Sequence, residues 1–332
     1  MSDPIAAAPL DRRLSIAPML DWTTRDYRML MRLITRHTLL YTEMVTAPAL
    51  LHGDRDAQLD HDAGEHPMAV QLGGSDPVQL AEAARICEQY GYGEINLNVG
   101  CPSDRVQSGM FGACLMATPQ RVADCVAAMQ AVVSVPVTVK SRIGIDDQDD
   151  YAFLHRFIDT VQQTGCRTFI IHARKAILSG LSPKENREIP PLIYARAEQV
   201  KQDFPQLEVI LNGGLRSLDE VEQHLQHLDG AMIGREAYHN PLHLADADPR
   251  IFGQPAPRSA VDAHSVVHAF MPYLEQRFAA GVHPKHILRH LLGLFQNRPG
   301  ARAFRRHLST HAHRADATPQ VLLDALALVP TL

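Results

Sequence analysis

The chain has 332 residues, 45% of them hydrophobic and 21% charged, and a net charge of −5. That length suits one large α/β barrel plus a smaller domain. No apolar run approaches the ~20 residues needed to cross a bilayer, and five scattered cysteines without a CxxC pair make neither a disulfide framework nor a zinc knuckle. No metal site is expected, and the clustered His307, His311 and His313 read as an exposed helix face. The cysteine usage predicts a reducing, cytoplasmic setting. Charge is unevenly placed: Arg258–Arg314 holds nine Lys/Arg against Asp262 and Glu275, so this stretch carries +7 and the remainder −12. Either a polyanion partner or a solvated basic face accounts for that asymmetry.

In chain order, the first residues are small and apolar but lack a basic n-region, so residues 1–12 are expected to form a loose tail rather than a signal peptide. Strands are then predicted at Leu14–Ala17, Leu39–Thr42, Met68–Leu72, Glu94–Asn98, Val137–Ser141, Thr168–His172, Glu208–Asn212 and Gly230–Ile233. Helices fall between them. Val78–Tyr90 has Pro77 before it and Gly91 after it. Pro119–Val132 and Tyr151–Thr164 are amphipathic. Ala195–Asp203 is followed by Pro205, and Leu218–Gln226 follows the N-cap Ser217. Eight strand–helix units predict a TIM (β/α)8 barrel over residues 13–253. A doubly wound sheet is the alternative, but no GxGxxG follows an early strand. Gly253–Pro257 reads as a linker, and residues 260–332 as an all-helical domain. Its Tyr273, Phe278, Phe295 and Phe304 suit core packing better than stacking on bases.

Polar residues gather where the strands end. Strand 1 ends in Ala17-Pro18-Met19, strand 2 in Thr42-Glu43-Met44, and strand 3 at Gln71 with Gly73-Gly74. Strand 4 runs Ile95 to Val99 and then breaks at Gly100-Cys101-Pro102, because proline lacks the N–H a central strand requires. Beyond it a loop passes Gly109, Gly112 and Cys114. Cys101 is therefore placed at the edge of a barrel where chemistry occurs; a buried structural cysteine is the plainer reading. Strand 5 ends with Lys140 and Arg142, strand 6 with His172, Arg174 and Lys175, strand 7 with Asn212-Gly213-Gly214, and strand 8 with Gly234-Arg235. Buried strands have no use for unpaired cations. The last two pairs sit where barrel enzymes bind phosphate, although a double glycine is otherwise a plain turn. Phosphate there, with Gln71, Lys140 and His172 around the rim, is the expected cradle of FMN.

These motifs resemble the tRNA-dihydrouridine synthases, most closely the bacterial A subfamily. The residues carrying the resemblance are Ala17–Asp21, Tyr41–Met44, Gln71–Gly74, Asn96–Ser103, Lys140-Ser141-Arg142, His172–Lys175, Gly180–Arg187, Asn212–Gly214 and Gly234–Tyr238. Asn-x-Gly-Cys-Pro marks the wider group, and Ser182-Pro183-Lys184-Glu185-Asn186-Arg187 the subfamily; the likeness runs from about residue 13 to beyond residue 310. It implies an FMN enzyme, with NADPH as reductant, that reduces uridines of the tRNA D-loop at positions 20/20a to 5,6-dihydrouridine. A hydride would pass from flavin N5 to uracil C6 and a proton from Cys101 to C5, the base being taken out of its stack. FMN would be held by Pro18, Met19, Gln71, Lys140 and His172, together with Asn212, Gly213, Gly214, Gly234 and Arg235. Asn98, Arg142, Arg174, Lys184, Arg187, Arg302 and Arg305 would meet tRNA. A cytoplasmic monomer without an obligate protein partner or membrane contact is expected. The alternatives are a flavin oxidoreductase acting on a small free pyrimidine, similar to a dihydroorotate dehydrogenase, and a tRNA-binding protein without catalysis.

Overall fold

A computed structural model describes residues 10–103, 111–256 and 261–331. Eight parallel strands close into a barrel in sequence order: β1 Leu14–Ile16, β2 Leu39–Thr46, β3 Met68–Gly73, β4 Glu94–Val99, β5 Val137–Arg142, β6 Thr168–His172, β7 Glu208–Asn212 and β8 Gly230–Ile233, which pairs back onto β1. The predicted strands are all present, and the last three have the expected bounds. β2 differs most. It continues to Thr46, and its register with β3 shifts between Tyr41 and Met44. An irregular pairing of this kind re-aims side chains without ending the strand, which is why Thr42-Glu43 reads as a strand end in sequence.

The period of two sorts the barrel side chains. Outward residues such as Val70, Leu97, Ile171, Val209 and Ile233 join the layer packed under the helices. Inward residues Ala17, Leu39, Tyr41, Ala69, Ile170, Ile210 and Met232 form a separate inner cluster. Local signals explain the covering helices. In Pro77–Gln89, Asp76 accepts the Gln79 N–H at 2.9 Å, proline occupies the first turn, and Leu80, Ala83, Ala84 and Cys87 recur on one buried face.

Arg12, placed in the N-terminal tail by the sequence reading, belongs instead to the barrel floor. It is buried and paired with Glu94 (2.6 Å) and Glu208 (3.1 Å). Those partners lie 82 and 196 residues away, so no local pattern announces them. Residues 1–9, Gly109, Pro257 and Arg258 lie outside the described residues.

Beyond the barrel the chain is helical, with Ala263–Ala279, Pro284–Leu288, Ala301–His311 and Gln320–Leu326 as its α-helices. Phe295 and Phe304 are buried with ring centroids 4.7 Å apart, and Tyr273 donates to Asp26 at 2.7 Å, so these three aromatics are structural; Phe278 is exposed. Docking onto the barrel is close. A side chain at Gly293 would collide with the Tyr238 and His239 backbone. Buried His290 bridges Thr24 and Tyr238. No helix among the described residues is long and apolar enough to cross a membrane.

Candidate active site

The C-terminal mouth of the barrel brings most of the predicted site residues together. Gln71 and Asn96 are register partners, as are Asn98 and Lys140, Arg142 and His172, and His172 and Asn212. Inward-facing residues of five neighbouring strands thus form one arc.

Cys101 follows β4 and is half-buried. Asn98 caps the turn: its Oδ1 accepts the N–H groups of Gly100 and Cys101, each at 3.0 Å. The Cys101 carbonyl accepts from Ala113 N at 2.9 Å, and its thiol lies 3.5 Å from the Ser103 hydroxyl. The thiol interacts electrostatically with Lys140, Arg142 and Arg187. Three other cysteines (Cys87, Cys125 and Cys166) are buried, and burial pushes each thiol up to about 12. They fit the plain reading of a buried structural cysteine.

Lys140 donates to Asn212 Oδ1 at 2.9 Å, and Asn212 is oriented by its own bond to the Met232 carbonyl. Lys140 is half-buried. Burial and then Arg142 bring its ammonium down to about 7, with Cys101 acting the other way. Lys140 has no carboxylate partner among the described residues. Beside it, His172 is held neutral by burial and by Arg142, Lys140, Arg174 and Arg187. The site has an excess of positive charge.

Gly213 and Gly214 follow β7 with φ of 119° and 75°, a region costly to other residues. A side chain on Gly213 would strike His172 and Leu192, and one on Gly214 would strike Leu192 and Tyr194, whose hydroxyl donates to the Gly213 carbonyl. At Gly234, by contrast, a Cβ would meet nothing nearer than Ala17 at 3.9 Å. This backbone therefore borders open space at the mouth. Exposed Arg235 pairs with Glu188 at 2.7 Å. Pro18 and Met19 stand at the end of β1, where Thr23 turns the chain through both backbone groups of Met19.

One placement corrects the sequence reading. Arg142, expected at the RNA surface, is buried. Its guanidinium donates to the carbonyls of Gly100 (2.9 Å), Lys175 (2.9 Å) and Asn186 (3.0 Å). It clamps the Cys101 turn to the loop after β6, because three carbonyls converge on it from loops far apart in sequence. Arg174 is half-buried, and its Nη1 donates to the Pro190 and Glu188 carbonyls. Lys184 and Arg187 are exposed on that loop. Arg302 and Arg305 stand on the polar side of Ala301–His311, while Phe304 is buried. The helical region nevertheless reaches the mouth: Arg289 donates to the Asp21 carbonyl, and Asp21 N–H to Glu43.

Sequence reasoning missed Arg12, Glu94, Glu208 and Thr138. A signal was available in β4, where Glu94, Asn96 and Asn98 alternate as polar residues in a strand whose other positions are apolar.

The profile of the dihydrouridine synthase family matches residues 15–329. The chain belongs to the dihydrouridine synthase family. Among its relatives are tRNA-dihydrouridine(20/20a) synthases of Vibrio cholerae (59% identity, covering 96% of this chain and 97% of the relative), Salmonella typhimurium (61%, 96% and 95%) and Escherichia coli K12 (60%, 96% and 91%). Two solved structures share the fold at low identity. They are a 2-naphthoyl-CoA reductase in complex with 2-naphthoyl-CoA (TM-score 0.55, 10% identity, 73% of this chain and 50% of that one) and TcOYE with pHBA (0.51, 11%, 75% and 93%). Membership of the family and the barrel fold agree with the arrangement of the mouth.

Proposed function

We propose that this enzyme reduces uridines 20 and 20a of the tRNA D-loop to 5,6-dihydrouridine, with FMN as bound cofactor, NADPH as reductant and Cys101 as proton donor. Family membership supports the reaction class. The observation that carries the assignment of roles is the pairing of two unlike groups at one mouth. Cys101 is the half-buried thiol at the end of β4, and Lys140, its neighbour in the arc, is a cation without an acidic partner among the described residues.

The residues fit FMN. Lys140 would accept negative charge on the ring, and Gln71 would pair with its polar edge. The Gly213-Gly214 turn and the open backbone at Gly234, with Arg235 and Asn212, suit its phosphate side; Pro18, Met19 and His172 complete the lining. When bound and reduced by NADPH, FMN would supply the hydride for uracil C6. Cys101 delivers the proton to C5 on the opposite face, so one hydride and one proton saturate the C5–C6 bond. The Cys101 side chain interacts electrostatically with Lys140, Arg142 and Arg187. Asn98, Lys184 and Arg187 would meet the flipped nucleotide and its neighbours. Arg302 and Arg305 would hold the RNA backbone. The setting is the cytoplasm, and the enzyme acts as a monomer.

Two measurements test this reading. Purified protein should be yellow and release FMN on denaturation; release of FAD, or no flavin from folded protein, overturns the cofactor. Cells lacking the protein should lose dihydrouridine at 20 and 20a, and retention there overturns the substrate position.

A further inference from the structure

The barrel floor and the Cys101 turn are joined by an unbroken series of side-chain hydrogen bonds. At the floor, Glu94 Oε2 accepts from Arg12 at 2.6 Å, while Oε1 accepts from Tyr41 at 2.5 Å and Thr138 at 2.7 Å. Asn96 Nδ2 donates to Thr138 Oγ1 at 2.9 Å, and Gln71 Nε2 donates to Asn96 Oδ1 at 2.8 Å. Asn98 Nδ2 then donates to Gln71 Oε1 at 2.8 Å. Finally Asn98 Oδ1 accepts the Gly100 and Cys101 N–H groups. Glu94, Asn96 and Thr138 are fully buried, and Gln71 is 1% exposed.

The series has a direction. An ionised carboxylate only accepts. Thr138 has a single hydroxyl hydrogen and gives it to Glu94, so it can only accept from Asn96. Asn96 must then turn its oxygen to Gln71, and Gln71 its oxygen to Asn98. That leaves the Asn98 oxygen for the Cys101 turn. One amide cannot flip unless all three do, and the carboxylate at the base and the two backbone N–H donors at the turn both oppose it. Tyr41 stays a phenol donor, since burial and Glu94 both raise it well above its usual range. Arg12 holds the countercharge: burial opposes it, but Glu94 and Glu208 outweigh burial and raise it.

We propose that Glu94 is a positioning residue for the reaction, fixing through Thr138 and Asn96 which way the Gln71 and Asn98 amides point, and so the start of the Cys101 turn. The consequence for chemistry rests on the proposed roles of Gln71 and Cys101; the mechanical link does not. The floor also holds an internal comparison. Glu208 accepts from the same Arg12 and from Thr168 at 2.7 Å. Above Thr168 the next inward residue of β6 is Ile170, which belongs to the apolar inner cluster. Two acids share one arginine, and the Glu208 branch does not climb to the mouth.

The test measures iodoacetamide alkylation of Cys101 in flavin-free protein, read on its own peptide by mass spectrometry across pH. Thr138→Val keeps the side-chain shape and the Arg12–Glu94 pair but removes the acceptor for Asn96. Loss of one hydrogen bond, worth about 1 kcal/mol or roughly fivefold, should speed alkylation by about that factor and shift its pH profile. Thr138→Ser should restore the wild-type rate. Glu94→Gln, which can donate to Thr138, should act like Thr138→Val, and Glu208→Gln should lower thermal stability without moving Cys101. In the flavin-loaded enzyme Thr138→Val should lower kcat for uridine reduction with little change in the KM for tRNA. Wild-type alkylation in both Thr138→Val and Glu94→Gln overturns the proposal, as does an equal acceleration in Glu208→Gln. Full uridine reduction by Cys101→Ala would instead overturn the proton-donor reading and leave the alkylation result standing.

Discussion

The barrel interior has two unlike sides. From β6 through β8 to β2 the middle inward residues are Ile170, Ile210, Met232, Ala17 and Leu39, an apolar filling between Thr168 and Glu208 at the floor and His172 and Asn212 at the mouth. From β3 to β5, beside the apolar Ala69, they include Gln71, Glu94, Asn96, Asn98 and Thr138, buried or half-buried and hydrogen-bonded in series. Tyr41 belongs to both, its ring in the apolar cluster and its hydroxyl on Glu94. The apolar side stabilises by excluding water and asks nothing of orientation. The polar side gains little net energy from each bond but determines direction. A site that must aim an amide and a backbone turn is built on the second kind of interior.

Breaking the polar side at its reactive end should have the largest effect. Cys101→Ala should lower uridine reduction by ~10²–10⁴, the usual worth of a general acid. Flavin reduction by NADPH should be nearly unchanged, and stopped-flow measurement of both half-reactions checks this. An equal loss in both would assign the thiol to the flavin rather than the base.

On the apolar side, Ile210→Ala should cost about 2–5 kcal/mol of stability, as large-to-small changes in cores do. Urea unfolding would measure it. Cys101 alkylation below the transition should stay at the wild-type rate, which separates packing from aiming.

Lys140 tests the comparison through pH. Its ordinary value of 10.5 falls to about 7 in the fold. Below pH 7 both folded and unfolded chains carry the proton, and the folded one bears the burial penalty. Between 7 and 10.5 the unfolded chain binds more protons, so the stability of flavin-free protein should rise with pH across that window. Lys140→Met should flatten the rise. Thermal melts at pH 7, 8 and 9 would show it, and an unchanged slope would remove Lys140 as its source.

The smallest effect should come from outside the barrel. Arg302→Ala with Arg305→Ala should weaken tRNA binding and reduce its log–log salt slope by roughly 0.7–0.9 per lost phosphate contact. The flavin spectrum should not move. Unchanged affinity and slope in folded protein would leave these arginines as a solvated helix face.

The amino-acid sequence by itself determined the barrel, its eight strands, the thiol at the end of β4 and the cationic mouth, because these depend on short-range rules: alternation, caps, proline and glycine. Three decisions came from tertiary structure alone. Arg12 joined the floor because its acids stand on distant strands. Arg142 turned inward because three loop carbonyls converge on it. The amides of β3 and β4 became a directed series only when strand register set Gln71 beside Asn96 and Thr138 beside the same asparagine. A sequence lists the donors and acceptors, but which hydrogen each one gives away depends on the neighbour that closure of the barrel supplies.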